Sequence, residues 1–281
     1  MVNTTVGELP ALLELLRVWD LPDYVPLAPG EPTFRLVVLL NQKPPRAYRK
    51  AVNGQLDSSA RLRAAVSSIE LLALELPRDL DRYVRGGVGD GGEYGWKSGP
   101  NLQFFRGLDR LTAEGGFALV VETDTRPVRA GWVGAARDLV RRHPDAWVLG
   151  SVYRGLETVP ASFKTHLNGN AIYALSPSFA KFRREVWEQV LREVVRHRTD
   201  VAYDYVLSYA FSQNLATEFH HAMLAEWHRL VATDFIQNLV HWRDHDPMTI
   251  DWVQWCARLE RESPQTYVVH GVRGEHRPPW T

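Results

Sequence analysis

Short apolar segments that alternate with helical patterns are the feature that most constrains the fold of this chain. The run FRLVVLL at Phe34–Leu40 ends at the polar Asn41, and the run FALVV at residues 117–121 leads directly into Glu122. Runs this short and this apolar are typical of central parallel strands that helices cover on both faces. We therefore predict an α/β protein in which a mostly parallel sheet is flanked by helices.

Segments with helical periodicity lie between and after these runs. The predicted helices are at residues 8–19, 58–74, 98–111, Trp132–Arg142 and 179–197. Further strands are predicted at residues 146–150, 166–175 and 266–269. The glycine-rich residues 86–99 favour no regular element, and a long loop in a compact domain is usually functional.

The length of the chain limits the number of domains. A chain of 281 residues is near the upper limit for one hydrophobic core, so we expect one elaborated domain. The apolar stripe of the first helix is followed by a segment rich in Pro and Gly. We therefore expect a helix and linker at residues 1–32, followed by the main domain at residues 33–281.

Charge and cysteine usage exclude several classes of partner and site. Lys plus Arg and Asp plus Glu both number 33, so no net charge attracts the protein to nucleic acid. Cys256 is the only cysteine, which excludes an intrachain disulfide and a multi-cysteine metal site. No stretch approaches the roughly 20 apolar residues of a membrane span. We expect a cytoplasmic protein without a transmembrane segment.

The segment FALVVETDTRP contains the strongest chemical motif. Glu122 and Asp124 follow a buried strand at i,i+2 spacing, so in a continuing strand they share one face. Two carboxylates at this edge of a sheet suit Mg²⁺ or Mn²⁺ that phosphate oxygens also bind. The alternative is a solvated turn in which Asp124 or Thr125 caps the backbone before Pro127.

The surrounding sequence resembles the nucleotide-diphospho-sugar transferases of GT-A fold. The segment KSGPNLQFFRGLDRLTAEGGFALVVETDTRP is similar to their succession of glycine loop, asparagine, helix, strand and Asp-x-Asp motif. The resemblance extends over roughly residues 34–270, although Glu122 stands at the first acidic position of the motif. It implies a nucleotide-binding half at residues 33–130 and an acceptor half at residues 131–281.

The resemblance also implies roles for individual residues around the nucleotide and the metal. Asn41, Lys97 and Asn101 would surround the nucleotide, and Glu122 would support it through the ribose or a water molecule. Asp124 and the late histidine, His270, would hold Mn²⁺ or Mg²⁺. Without the resemblance, a histidine at a strand end is more often only hydrogen-bonded within the fold.

Two more segments carry candidate residues for the transferred sugar and the acceptor. In KTHLNGNAIYAL, the residues Asn168, Gly169 and Asn170 resemble a sugar-facing strand, although an Asn-Gly hairpin turn or a bulge explains them equally simply. Asp204 would be the catalytic base if the reaction inverts the anomeric centre. The alternative is a carboxylate that complements the dipole at a helix N-terminus.

The sequence therefore predicts a metal-dependent glycosyltransferase with Mn²⁺ or Mg²⁺ as its cofactor. The donor would be a nucleotide-diphosphate sugar such as a UDP-sugar, and the acceptor a glycan, a lipid-linked glycan or a small molecule with a hydroxyl group. We expect no nucleic-acid partner, and a homo-oligomer is compatible with this interpretation.

Two other classes of function remain open at this stage. The segment HWRDHDP offers ligands for a metal-dependent phosphoesterase, but it also fits a solvated loop that ends in an Asp-Pro turn; these ligands are His241, Asp244, His245 and Asp246. The 10 Trp and 10 Tyr residues suit a non-catalytic carbohydrate-binding module, although such residues are more often part of a core.

Overall fold

The computed structural model of the protein describes residues 1–84, 86–87, 91–153, 164–238 and 252–271. Its strands are β1 (Val2–Thr4), β2 (Phe34–Leu40), β3 (Val66–Ala73), β4 (Phe117–Glu122), β5 (Thr125–Pro127), β6 (Val148–Gly150), β7 (Ala171–Ala174), β8 (Leu230–Ala232), β9 (Ile236–Asn238) and β10 (Val268–His270). Its α-helices are α1 (Leu9–Trp19), α2 (Arg46–Ser58), α3 (Ala60–Ala65), α4 (Ser98–Thr112), α5 (Trp132–Arg142), α6 (Pro177–Phe182), α7 (Glu188–Val195), α8 (Tyr203–Gln213), α9 (His220–Glu226) and α10 (Trp252–Glu262). A π-helical turn at Arg183–Trp187 joins α6 to α7.

Seven strands form the main sheet, in the order β3-β2-β1-β4-β7-β6-β8. The first four of these run parallel, β7 runs antiparallel to both of its neighbours, and β8 is parallel to β6. A smaller sheet has the order β5-β10-β9. Its strand β5 begins directly after the acidic motif in the chain. The prediction of an α/β protein with a mostly parallel sheet flanked by helices is confirmed.

The strand β1 lies inside the main sheet, between β2 and β4, and the sequence did not reveal it. Val2 pairs with Val38 of β2 on one side and with Val121 of β4 on the other. Three residues are too few to show a periodic pattern. Their extended conformation depends on the pairing with the two neighbouring strands. The division at residue 32 stays a prediction, but residues 2–4 add a strand to the sheet of the main domain.

The predicted helix at residues 58–74 is wrong. A short helix, α3, begins after Ser59, whose hydroxyl accepts a hydrogen bond from Leu62 N at 3.0 Å, and it ends at Ala65. Val66–Ala73 then forms β3, which pairs with almost the whole length of β2. The apolar positions of this segment fit both periods, and the open edge of the buried β2 decides between them. The crossover between the two strands consists of α2 and α3.

The core is divided by the sheet into two layers because side chains alternate along each strand. Val37 and Val120 belong to the layer that contains Phe104 of α4. Val38, on the opposite face, packs in the layer that contains Leu16 of α1. Helices therefore cover both faces of the parallel strands, which leaves their carboxyl edge as the place where polar side chains collect.

No helix within the described ranges combines the length and the apolar character that a membrane crossing requires.

Candidate functional site

A cleft with a volume of about 970 Å³ lies at the carboxyl edge of the parallel strands. Its wall includes Thr4 at the end of β1, Asn41 just after β2 and Glu122 at the end of β4. Such an edge is where open α/β sheets usually bind ligands. The structure brings nearly all predicted site residues to this cleft, namely Asn41, Lys97, Glu122, Asp124, Asn168, Gly169, Asn170, Asp204 and His270.

Three of these residues form a compact cluster that can hold a metal ion. Each of Glu122, Asp124 and His270 offers a ligand atom, and these atoms lie within 4.8 Å of one another. His270 Nε2 is 3.0 Å from Glu122 Oε2 and 3.3 Å from Asp124 Oδ1. The smaller sheet explains the meeting, because His270 pairs with Thr125, the residue after Asp124. We call these three residues the acidic-histidine cluster.

The two carboxylates of the acidic-histidine cluster favour a positive charge between them. Burial lowers the pKa of His270, but the carboxylates of Asp124 and Glu122 outweigh this effect and raise it to about 10. A proton on His270 therefore compensates the two carboxylates when no other cation is bound. Two carboxylate oxygens and one imidazole nitrogen form a donor set that fits Mn²⁺ well and Mg²⁺ less well, because Mg²⁺ prefers oxygen alone.

The segment from Asn168 to Asn170, called here the 168–170 turn, contacts the acidic motif directly. Asn170 Oδ1 accepts a hydrogen bond of 2.7 Å from Glu122 N, and Asn168 Oδ1 accepts one of 2.9 Å from Asn170 N. At the other side of the turn, Asp204 Oδ2 accepts a hydrogen bond of 3.0 Å from Gly169 N. The turn is thus fixed between β4 and the first turn of α8.

Gly169 is required in the 168–170 turn because of a close approach. A Cβ atom at this position would lie 2.0 Å from the hydroxyl oxygen of Tyr203. Tyr203 is itself immobilised, since its ring stacks on Phe104 with the ring centroids 3.9 Å apart. The aromatic core therefore determines where the 168–170 turn lies in the cleft wall.

Asn41 and Asp81 form a polar pair at another part of the cleft. Asn41 Nδ2 donates hydrogen bonds to both carboxylate oxygens of Asp81, at 3.0 and 2.9 Å, and Asn41 Oδ1 accepts one of 3.1 Å from Val6 N. Gln42 Nε2 donates a further bond of 3.0 Å to Asp81. Sequence reasoning missed Asp81, because it lies in a segment without regular structure, far from Asn41 in the chain.

Asn101 takes a different place from the one that the sequence suggested. Its side chain is 0% exposed and is absent from the cleft wall. Its Nδ2 donates to the carbonyl oxygens of Tyr94 and Val201, and its Oδ1 accepts a hydrogen bond of 2.8 Å from Tyr203 N. Asn101 therefore orders the cleft wall from behind, which differs from the predicted direct contact with a nucleotide.

Two predicted features fall partly or wholly outside the described residues. Of the glycine-rich loop, residues 86–87 and 91–99 are described, and Lys97 at its end lines the cleft. The alternative phosphoesterase cluster at residues 241–246 lies outside the described residues.

The architecture of the chain is similar to that of a glycosyltransferase of known structure. The crystal structure of mouse xyloside xylosyltransferase 1 in its apo form superposes with a TM-score of 0.52 over 96% of both chains, with 12% sequence identity. S. aureus TarS (1-349) has a TM-score of 0.35 and 18% identity over 72% of this chain and 57% of that chain. No protein-family model and no curated protein sequence matches the chain.

In its general architecture, the fold is that of a class of glycosyltransferases. More particularly, the chain has the GT-A glycosyltransferase fold, as the sequence resemblance predicted. At this level of identity the likeness defines the fold alone, and the chemistry has to be argued from the cleft.

Proposed function

We propose that the protein is a metal-dependent glycosyltransferase that moves a sugar from a nucleotide-diphosphate sugar to a hydroxyl group of an acceptor. The observation that carries this proposal is the acidic-histidine cluster at the carboxyl edge of a GT-A sheet. Two carboxylates alone at such an edge fit a solvated turn equally well. The buried His270, which faces both of them, favours a built cation site.

Asp124 and His270 would hold Mn²⁺ or Mg²⁺, with Glu122 as a further oxygen ligand. When bound, the cation supplies positive charge that stabilises the diphosphate leaving group. Asp124 and His270 are largely shielded from solvent, with side chains only 16% and 11% exposed, so their charges act through less water than on an open surface.

The two ends of the cleft offer different chemistry to the two parts of a donor molecule. At one end, Asn41 and Gln42 hold the Asp81 carboxylate in a fixed position, where it can accept a hydrogen bond from a nucleobase or a ribose. At the other end, the half-buried Asn168 offers an amide that suits a sugar hydroxyl group. Asn170 is 2% exposed, and its amide is bonded to Glu122 and Asn168, so it orders this part of the wall. The acidic-histidine cluster lies within the same cleft, which agrees with a diphosphate that joins base and sugar.

Asp204 is the proposed base if the reaction inverts the anomeric centre. It lines the cleft, and its Oδ2 accepts one hydrogen bond from Gly169 N, so the direction of its carboxylate is defined. If the reaction retains the configuration, Asp204 instead positions the 168–170 turn below the sugar. The acceptor would be a glycan, a lipid-linked glycan or a small molecule that carries a hydroxyl group.

A thermal-shift screen of nucleotide sugars, each with and without Mn²⁺, tests the proposal. A ligand that binds only the folded state raises the melting temperature, so a true donor should raise it in the presence of Mn²⁺ and much less without it. The variant Asp124→Asn should lose this metal-dependent shift. The exposed Asp57 on α2 provides the matched control, because Asp57→Asn removes one carboxylate outside the cleft wall.

The opposite pattern would reject the proposal. If no nucleotide sugar raises the melting temperature, or if Asp124→Asn and Asp57→Asn respond alike, the cluster is not a donor site. Binding of free sugars without any nucleotide or metal requirement would point to a carbohydrate-binding module instead.

A further inference from the structure

Asn238 contacts the candidate metal ligand His270 from the side opposite the carboxylates. The two residues are direct partners in the parallel pairing of β9 with β10. Asn238 is 1% exposed, and its Oδ1 is 3.2 Å from His270 Nδ1. No sequence pattern marks this residue, because its partner lies in a strand about 30 positions later.

The orientation of the Asn238 amide is defined by its other neighbours. Its Nδ2 is 3.2 Å from the carbonyl oxygen of Ser151 and 2.6 Å from Ser151 Oγ. A carbonyl oxygen only accepts hydrogen bonds, so the amide nitrogen has to face Ser151 and the amide oxygen has to face His270.

This orientation determines which nitrogen of His270 keeps its proton in the neutral form that binds a metal. An amide oxygen is only an acceptor, and therefore His270 Nδ1 has to donate. The other nitrogen, Nε2, is then the one that can offer a lone pair, and it lies 3.0 Å from Glu122 Oε2 and 3.3 Å from Asp124 Oδ1. The hydrogen bond thus directs the ligating nitrogen toward the carboxylates.

We propose that Asn238, held by Ser151, is a positioning residue that fixes the ring orientation and tautomer of His270 for metal binding. The inference rests on the proposed function, since it presumes a divalent cation at the acidic-histidine cluster. Outer partners of metal-ligating histidines orient the ring and raise its basicity, and their loss typically weakens metal binding about 10- to 100-fold.

The same carbonyl of Ser151 also connects the metal side of the cleft to the sugar side. Besides the bond from Asn238, it accepts a hydrogen bond of 3.0 Å from Asn168 N. One carbonyl thus fixes His270, through Asn238, relative to the 168–170 turn. A displacement of Asn238 is therefore expected to weaken metal binding by His270 strongly and to shift the 168–170 turn to a lesser extent.

Mn²⁺ titrations followed by the electron paramagnetic resonance of free Mn²⁺ test the inference. Asn238→Leu keeps the approximate volume but removes the acceptor, and we expect its Kd for Mn²⁺ to rise about 10- to 100-fold. Asn238→Asp restores an acceptor toward Nδ1 and should keep the Kd within about threefold of the wild type, at some cost in melting temperature. If Asn238→Leu does not fold, Asn238→Ala replaces it.

Gln237 provides a matched control in the same strand. It is 4% exposed, and its Nε2 donates a hydrogen bond to Thr266 Oγ1 at 3.3 Å. Gln237→Ala therefore removes a comparable buried amide without touching His270. It should lower the melting temperature and leave the Kd for Mn²⁺ unchanged.

A second readout reports the tautomer directly. In Zn²⁺-loaded wild-type protein, long-range ¹H-¹⁵N spectra should show His270 with a protonated Nδ1 and a metal-bound Nε2. Wild-type Mn²⁺ binding with an unchanged Kd in Asn238→Leu, or a metal-bound Nδ1, would overturn the inference and leave the proposed function intact. Absence of Mn²⁺ binding by the wild type would remove both.

Discussion

Asn101 and the Asp124–His270 pair of the acidic-histidine cluster are shielded polar groups near the carboxyl edge of the sheet, but they use their polar atoms differently. Asn101 directs its amide to two carbonyl oxygens and one backbone N–H, so the fold satisfies it completely. The side chains of Asp124 and His270 instead face each other and the cleft. Burial of a polar residue is therefore a weak sign of function, whereas side chains that converge on one another at a cleft are a stronger one.

The largest expected effect distinguishes these two regions by activity. Asp124→Asn keeps the shape of the side chain but removes a charge from the acidic-histidine cluster. We expect transfer or donor hydrolysis to fall about 10³-fold, as for the loss of a main electrostatic contact to the reacting group. The rate of nucleotide diphosphate release measures this. Because the cluster contributes little to the core, the melting temperature without metal should change by only a few degrees, and full activity in Asp124→Asn would contradict the assignment.

Asp204→Asn sharpens the account of the acceptor side. If Asp204 is a base, its loss should lower the turnover about 10²-fold or more, while donor affinity stays the same. The asparagine can still accept the hydrogen bond from Gly169 N, so the 168–170 turn should keep its place. Steady-state kcat and KM for the donor separate the two roles. Loss of a purely positioning residue would change KM or neither constant, but it would leave kcat the same.

Asn101→Ala should give the reverse of the Asp124→Asn result. The change leaves two carbonyl groups and one N–H without partners in a fully buried place, and we expect a loss of about 3 kcal/mol in the free energy of unfolding. Urea denaturation measures this loss. At a temperature where the variant is folded, its Mn²⁺ affinity should equal that of the wild type. A stable variant with lost nucleotide binding would show that the direct contact suggested by the sequence is correct.

Much of the architecture was accessible from the sequence because short apolar runs and helical patterns are recognisable in the local sequence. Phe34–Leu40 and the helix Trp132–Arg142 have the bounds that their patterns predicted. The strand Val2–Thr4 and the strand Val66–Ala73 were missed because neighbouring strands, and not their own pattern, determine their conformation. Local sequence carries too little information about such pairing.

The cleft was accessible for a related reason. Asp124 lies two residues after the apolar strand β4, and His270 is the last residue of the apolar strand β10, so the neighbouring sequence marks both of them. Asp81 and Asn238 gave no such signal, because each acts through a partner that is distant in the chain. Asn101 was misjudged because a short motif does not reveal whether its side chain points to the cleft or into the core.

Gly169→Ala probes the boundary between the two regions, where the packed aromatic core supports the 168–170 turn. The new Cβ would lie 2.0 Å from the hydroxyl oxygen of Tyr203, so the turn has to shift or Tyr203 has to move. Overpacking of this kind costs about 1 to 3 kcal/mol of folding free energy. We expect the substitution to weaken binding of the nucleotide sugar more than binding of the bare nucleotide, and calorimetry measures both affinities. Equal losses for both ligands would place the sugar elsewhere.

Cys256 belongs to neither region, and no effect on activity is expected from it. Burial raises the pKa of its thiol to about 11, although Arg129 acts in the opposite direction. The reactive thiolate is present only as the pH approaches this value, so alkylation by iodoacetamide at pH 8 should be roughly 100-fold slower than for a free cysteine. The rate should still rise between pH 8 and pH 10. Rapid labelling at pH 7 with unchanged activity would show that the segment is more open.

Anomalous diffraction at the manganese edge, from crystals grown with Mn²⁺ and a nucleotide diphosphate, tests the central claim most directly. The account predicts one strong peak between Asp124 and His270, at coordination distances of about 2.0 to 2.3 Å, with the diphosphate on its open side. A nucleotide bound in the cleft with no peak at the acidic-histidine cluster, or with the metal held elsewhere, would contradict it.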